Sequence, residues 1–285
     1  IQDGCNNHCA YCKVPIVRGK SKSKRLAAIQ SEAQQLIKNG YKEIVLCGIC
    51  LGSYGKELSP KKTLVEAITA ILKINGDFRI RLSSIESRDI NKELIELMAQ
   101  SSQLCCHFHI PFQSGDNEIL CRMQRSYTVA DYRKTVDAVK AKIPGVAITT
   151  DIMIGFPGEQ QKHFENTCQF LKYVAPSRIH IFPFSPRKGT AAYSLSDRIS
   201  MNVIKQRVNV LRLLASELSY EYRAQFLNKQ LMVLIEEKKD KKTGFFKGYS
   251  DNYIEVSIQS PHFARNRLQK MTIDQVTSAD TFATA

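Results

Sequence analysis

Short β-rich runs alternate along the first 184 residues with stretches of helical period, so the hydrophobic pattern switches repeatedly between two and about 3.6 residues. The runs at 43–49 (EIVLCGI), 79–85 (RIRLSSI), 107–112 (HFHIPF), 147–154 (AITTDIMI) and 178–184 (RIHIFPF) predict strands. Read as apolar on both faces, they predict parallel strands covered by helices. Helical periods fall near 26–38, 64–74, 91–100, 116–123, 128–141 and 160–173, with Gly40 closing the first and Asp89 or Asn91 capping the third. Five helix-then-strand repeats, with one more strand implied before Cys5, predict an α/β fold. Its form is a partial, TIM-like (β/α)6 barrel over residues 1–196. The chain opens at Ile1 with room only for the end of that first strand, which predicts further sequence upstream. Chemistry in such a sheet belongs at the C-terminal strand ends.

After Asp197 the pattern changes. Met201, Ile204, Val208, Leu211, Leu214, Leu218, Tyr222 and Phe226 recur at three- and four-residue steps and predict one long amphipathic helix, placed at 197–227 as a link. Segments 230–237, 245–249, 253–259 and 270–277 then predict a small all-β, OB-like barrel over 228–285. Such barrels often bind nucleic acid, by fold analogy alone.

Composition narrows the setting. No apolar run reaches the roughly 18 residues of a membrane span, and no signal-peptide core is present, so the expectation is a cytoplasmic, monomeric protein without a membrane partner. The 41 Lys and Arg against 27 Asp and Glu give a formal charge of +14, which suits a polyanionic partner such as nucleic acid. Basic residues cluster at Lys13, Arg18, Lys20, Lys22, Lys24 and Arg25, and again at Lys238, Lys239, Lys241 and Lys242.

Cys5, Cys9 and Cys12 read CxxxCxxC, a spacing that chance gives in roughly one chain in a hundred. Zinc is one reading, with His8 or a distant cysteine completing four ligands, although His8 adjoins Cys9 and chelates awkwardly beside it. On that reading the chain is a non-catalytic RNA-binding protein with a structural metal. An iron–sulfur cluster is the other: cubanes normally take four thiolates, and three leave one iron open to bind and activate a substrate.

CxxxCxxC with Tyr11 before the last cysteine resembles the signature of radical S-adenosylmethionine enzymes. With "GSYG" (52–55), "RLSSIE" (81–86), "HIPFQSG" (109–115), "ITTDIMIGFPGE" (148–159) and "RIHIFPFSPRKGT" (178–190), the chain resembles the methylthiotransferases over nearly its whole length. "RLSSIE" and "GYSDNYIEV" (248–256) look closest to the branch that modifies N6-threonylcarbamoyladenosine beside the anticodon of tRNA. Sister branches act on isopentenyladenosine in tRNA or on a ribosomal-protein aspartate.

The resemblance implies a 4Fe–4S cluster on Cys5, Cys9 and Cys12, which binds S-adenosylmethionine and cleaves it reductively to a 5′-deoxyadenosyl radical. It implies a reductant as partner, and a nucleotide site drawn from Tyr11, Gly48, Ser53, Ser84, Glu86, Gln113, Ser114, Asp151 and Gly155. Gly155 and Gly158 would permit close backbone approach, or simply form a tight turn. Relatives carry Asn or His where this chain has Cys50, and complete members hold a second cluster in an N-terminal domain. By itself this chain is therefore expected to cleave S-adenosylmethionine slowly and not to complete methylthiolation. The C-terminal segment resembles the RNA-binding TRAM domain. Arg18, Lys20, Lys22, Lys241 and Lys242 would then meet phosphates, with Phe246 and Tyr249 stacking on bases and Phe245 and Tyr253 as further candidates. The other six cysteines (Cys47, Cys50, Cys105, Cys106, Cys121 and Cys168) read mainly as packing residues.

Overall fold

A computed structural model describes residues 1–241, 243–258 and 265–284, without the side chain of Lys238. The chain enters as β1 (Gln2–Asp3), runs through the cysteine loop and α1 (Val14–Val17), and returns antiparallel as β2 (Lys22–Ser23). Then α2 (Leu26–Lys38) leads to β3 (Glu43–Leu46), α3 (Leu64–Leu72) to β4 (Arg79–Leu82), and α4 (Lys92–Gln100) to β5 (His107–His109). Two helices, α5 (Asn117–Arg122) and α6 (Val129–Lys142), precede β6 (Ala147–Ile154), and α7 (Gln161–Val174) precedes β7 (Arg178–Pro183). Helix starts follow their local chemistry: Thr63 and Glu66 form a capping box on α3, Thr128 and Asp131 another on α6, and Asn91 caps α4.

Strands β3 and β4 pair in parallel, as do β5, β6 and β7. Parallel bridges Gln2↔Gly48, Ile80↔Leu104 and Ser84↔His109 join these pieces, so six strand positions form one open arc. Ile44, Leu46, Ile80, Leu82, Phe108, Ile148 and Ile152 share one core with the surrounding helices. Two-residue alternation sends Glu43, Arg79, Arg81, His107, His109, Thr149 and Asp151 to the opposite face, the lumen. The sequence reading of two apolar faces is therefore corrected: the helix-facing side is apolar, and the lumen side is largely polar until Met153 and Phe182 near its upper end. Four of the strands, all but β6, are also shorter than their apolar runs, because their last residues leave the ladder to form loops, as where the Gly48 N–H bonds the Ser83 hydroxyl at 3.3 Å.

Helix α8 (Met201–Ala224) adds Ile204, Val208, Leu211, Leu214 and Leu218 to that core, while Tyr222 and Phe226 enter a second one. The second core fills a closed barrel of β8 (Gln230–Lys239), β9 (Phe246–Ser250), β10 (Glu255–Ile258), β11 (Leu268–Val276) and β12 (Thr281–Thr284), in the order β10-β12-β11-β8-β9. The pattern of apolar residues predicted four of these strands. The fifth, β12, turns only Thr281 and Ala283 inward, too little apolar surface to register.

This barrel closes the N-terminal end of the lumen. Glu43 receives Arg79 Nε at 2.7 Å and Arg81 Nε at 2.8 Å. Arg79 also donates to the carbonyls of Met232 and Tyr249, and Arg81 to those of Ser250 and Asp251. The Tyr253 ring lies 4.5 Å from the Arg81 guanidinium and 4.6 Å from the His107 ring. Among the described residues no helix is long and apolar enough to cross a membrane.

Candidate functional site

The cysteine loop is tied at its base before any ligand is considered. Gly4 sits at φ +69°, where an added Cβ would come within 2.1 Å of the Lys20 carbonyl, so only glycine lets the two ends of the loop meet. The Cys5 N–H then bonds Gly19 O at 3.1 Å, and Asn6 Oδ1 accepts from the Ser21 N–H at 3.0 Å. The buried Gln2 amide fastens this base to the loop after β3: Nε2 donates to Gly4 O at 2.8 Å, and Oε1 accepts the Cys50 N–H at 2.8 Å. At the far side Ala10 is clamped, donating to Met123 O at 2.9 Å and accepting from Ala192 N at 2.7 Å.

Each of the three sulfurs has its own N–H donor. Asn7 N lies 3.4 Å from Cys5 Sγ, Val14 N 3.4 Å from Cys12 Sγ, and Arg125 Nη1 3.0 Å from Cys9 Sγ. Such donors favour thiolate over thiol, the form that ligates metal. Among the described residues one group of three His, Cys, Asp or Glu ligand atoms gathers within 4.8 Å, and it is His109, Asp151 and His180, not the cysteines.

A fourth thiol is in reach. Cys50, only 5% exposed, accepts the Gln2 anchor through its backbone and places its Sγ 3.1 Å from the Ser53 hydroxyl. A hydrogen bond from this thiol, against the opposing effect of burial, lowers the Cys5 pKa to about 7. The same bond, and then burial, push Cys50 upward, so Cys50 is the protonated member of the pair. Burial raises Cys12. Cys50 is thus a neighbour of Cys5 and not merely packing, which corrects its main sequence reading.

Arg125, which sequence reasoning missed, organises the opposite side. Its guanidinium touches Cys9 Sγ, bonds Glu86 and the Tyr127 hydroxyl, and lies 3.5 Å from the Tyr11 hydroxyl. Burial opposes its charge, but the acidic surroundings, with the Glu86 carboxylate paired to it, outweigh burial and hold its pKa above the ordinary value. Burial also lifts Tyr11, keeping the phenol neutral. A cleft of about 290 Å³ opens here, lined by Asn6, Asn7, Cys9, Glu86, Arg88 and Arg125 among others.

The expected nucleotide residues divide into two groups. Tyr11, Glu86, Gly48 and Ser53 stand around the cysteine loop, and Ser84 bridges to His109 behind them. Gln113, Ser114 and Gly155 make their contacts with β6, α7 and α8. Gln113 is buried at φ +66°, bonding the β6 backbone on both sides, and its Oε1 has no partner. Ser114 faces Thr167 of α7 at 3.5 Å. Gly155 has Ile204 of α8 where its Cβ would be, and Gly158 has Arg122, so a side chain at either position would clash with its neighbour. Asp151 points into the lumen toward His109.

The proposed RNA contacts also separate. Arg18, Lys20 and Lys22 are exposed beside the cysteine loop, with Arg18 pairing Asp3 at 3.5 Å. Lys241 is exposed on the C-terminal barrel, and Lys242 lies outside the described residues. Phe246 is only 8% exposed and belongs to the barrel core, and Tyr253 plugs the lumen, which corrects both as stacking platforms. Tyr249 is half-buried, its hydroxyl bonding Glu255.

Comparison with known proteins agrees with this geometry. Residues 1–171 match the radical SAM superfamily. The chain is 39% identical over 278 residues to "Threonylcarbamoyladenosine tRNA methylthiotransferase MtaB" of Bacillus subtilis, covering 96% of this chain and 61% of that protein. It is 37% identical over 248 residues to "tRNA-2-methylthio-N(6)-dimethylallyladenosine synthase" of Pelotomaculum thermopropionicum, covering 87% of this chain and 55% of that one. The chain thus spans somewhat over half the length of these relatives. Among solved structures, methylornithine synthase (PylB) shares the fold with a TM-score of 0.52 at 15% identity, over 75% of this chain and 60% of that one. The methyltransferase TsrM from Kitasatospora setae, solved with cobalamin and a 4Fe–4S cluster, gives 0.55 at 14% identity, over 67% and 37%.

Proposed function

Because the chain belongs to the radical SAM superfamily, we propose that it is the catalytic and RNA-binding part of a tRNA methylthiotransferase acting at C2 of N6-threonylcarbamoyladenosine beside the anticodon. Its cofactors are a 4Fe–4S cluster on Cys5, Cys9 and Cys12 and S-adenosylmethionine. When bound, they supply a radical able to take hydrogen from an unactivated carbon.

The chain's own residues do the rest. Gly4 and Gln2 pre-form the loop, so three thiolates need little reorganisation to accept metal. Arg125 neutralises charge beside Cys9 and joins it to Glu86, which together with the Gly48–Ser53 loop would hold the polar ends of the nucleotide. The all-β segment acts as a TRAM-like RNA-binding barrel, and exposed Arg18, Lys20, Lys22 and Lys241 meet phosphates. An electron donor and a cytoplasmic setting go with this reading.

The observation that carries it is the loop of three separately donated thiols, on a chain 39% identical over 278 residues to a named threonylcarbamoyladenosine enzyme. The 37% identity to a dimethylallyladenosine synthase favours the isopentenyl substrate as second reading. Nucleoside mass spectrometry of tRNA from cells lacking the intact protein tests both. The 2-methylthio form of threonylcarbamoyladenosine should vanish while that of isopentenyladenosine stays, and the reverse loss would overturn the first reading. After anaerobic reconstitution, stoichiometric zinc in place of iron and sulfide would overturn both.

A further inference from the structure

Three lumen side chains stand apart from the cysteine site. His109 on β5, Asp151 on β6 and His180 on β7 bring ligand-capable atoms within 4.8 Å of one another. His109 Nε2 lies 3.4 Å from Asp151 Oδ2, and the two imidazole rings are 5.7 Å apart, edge to face. The other nitrogen of His109 is 2.8 Å from the Thr149 hydroxyl, which also lies 2.9 Å from His107 on the lumen floor. Among the described residues, neither Asp151 nor His180 has a further hydrogen-bonding partner from a side chain. His180 is exposed on the edge strand, so the set is open to solvent.

Its depth is defined by register. Asp151 and His180 are partners across β6 and β7, and two residues on, on the same face, Met153 and Phe182 pack with Ala10 and Tyr11 of the cysteine loop. The triad therefore lies one same-face step, ~7 Å, beneath the layer that supports the cluster loop. In adenine, C2 and C6 flank N1, and C6 carries N6, so the C2–H and C6–N6 bonds diverge. A base that offers C2–H at the mouth of the lumen therefore directs its N6 substituent away from the mouth.

We infer that His109, Asp151 and His180 read the N6 substituent of the modified adenosine, accepting an amino-acid-bearing group and rejecting an alkyl one. This rests on the tRNA-modifying reading above. A threonylcarbamoyl group carries a carboxylate, a hydroxyl and urea N–H groups. The imidazoles can donate to the first, and the Asp151 carboxylate can accept from the others. An isopentenyl chain would cover the same three polar groups and satisfy none, a mismatch that costs far more than one lost methylene contact. His109 is a positioned member, set by Thr149, and His180 is the free one.

The test is binding, by fluorescence anisotropy at fixed salt, of the 285-residue chain loaded with cluster to anticodon stem-loop RNAs. The RNAs are identical except for threonylcarbamoyl, isopentenyl or no group on N6. The threonylcarbamoyl RNA should bind at least about tenfold tighter than the isopentenyl one. His180→Leu should reduce that ratio to below about threefold, and His180→Gln, which keeps a donor, should retain most of it. RNA bound without preference, or a preference that survives His180→Leu in a chain with unchanged thermal melting, overturns the assignment while leaving the tRNA reading intact. No binding of any RNA overturns both. Stoichiometric zinc or manganese binding that His180→Leu abolishes, with RNA preference unchanged, would make the triad a metal site instead.

Discussion

The two ends of the lumen treat charge in opposite ways. At the N-terminal end Arg79 and Arg81 are buried and Glu43 is mostly so, and every one of them is answered by another part of the chain, including four backbone carbonyls of the C-terminal barrel. At the C-terminal end the thiols of Cys5, Cys9 and Cys12 are half-buried and accept N–H donors, and the Arg125 and Glu86 pair lines a cleft. Saturated charge fixes the position of one domain on another; under-coordinated groups, held just as firmly, are what a ligand can complete. The contrast follows the general division of barrel ends into a stabilising and a reactive face.

The sharpest way to break this comparison is at Cys9. Cys9→Ala should leave the reconstituted chain with essentially no stable cluster, read as iron and sulfide per chain, while its thermal melting stays that of the unloaded protein. Cluster retained in full would mean that Cys50 substitutes as ligand and that the three-thiol site is wrongly drawn.

Next in size, Glu43→Ala leaves two buried guanidiniums uncompensated and should cost about 3–5 kcal/mol in urea unfolding. A loss under about 1 kcal/mol would show that the backbone carbonyls alone hold the arginines. Acid sharpens the same point. Burial alone would raise the Glu43 pKa, but its bonds to Arg81 and Arg79 outweigh burial and lower it. A carboxyl depressed on folding stabilises fully above its unfolded pKa, about 4.3, and that stability is lost as pH falls through the lower folded value. Glu43→Gln should therefore flatten the acid limb of the stability profile below about pH 4.

At the reactive end Arg125→Gln should weaken the cluster without preventing assembly. The expected change is a lower, more negative cluster potential, since a cationic donor to Cys9 stabilises the reduced state. An unchanged potential in electrochemical titration would confine Arg125 to packing. Smallest of all, Lys241→Ala should reduce the salt dependence of RNA affinity by a slope of about 1 at most, with a modest loss of binding at low salt that fades at high salt.

The parts legible in sequence are those where one physical signal dominates. The helix over 26–38 and the strand over 147–154 form at those bounds because their periodicity meets no competing rule. The lumen was harder to see: "RIRL" reads as apolar until register shows that Arg79 and Arg81 share one face and Ile80 and Leu82 the other. Phe246 was assigned to the surface because the inward parity of a five-residue strand is ambiguous without its neighbours. Arg125 left no local signal, since it meets Cys9 across 116 positions and sits in a loop after a short helix. Cys50 could be singled out as unusual, but its closeness to Cys5 depends on Gln2, an unremarkable residue whose buried amide joins two loops.

The docking of the C-terminal barrel has a consequence of scale. It grips the floor of the lumen, while the thiols stand at the rim, and the eight residues of β6 between them measure ~26 Å. No single nucleotide reaches that far. The floor and the rim are thus two separate stations along one strand, and an RNA that meets both has to offer each a different part of itself.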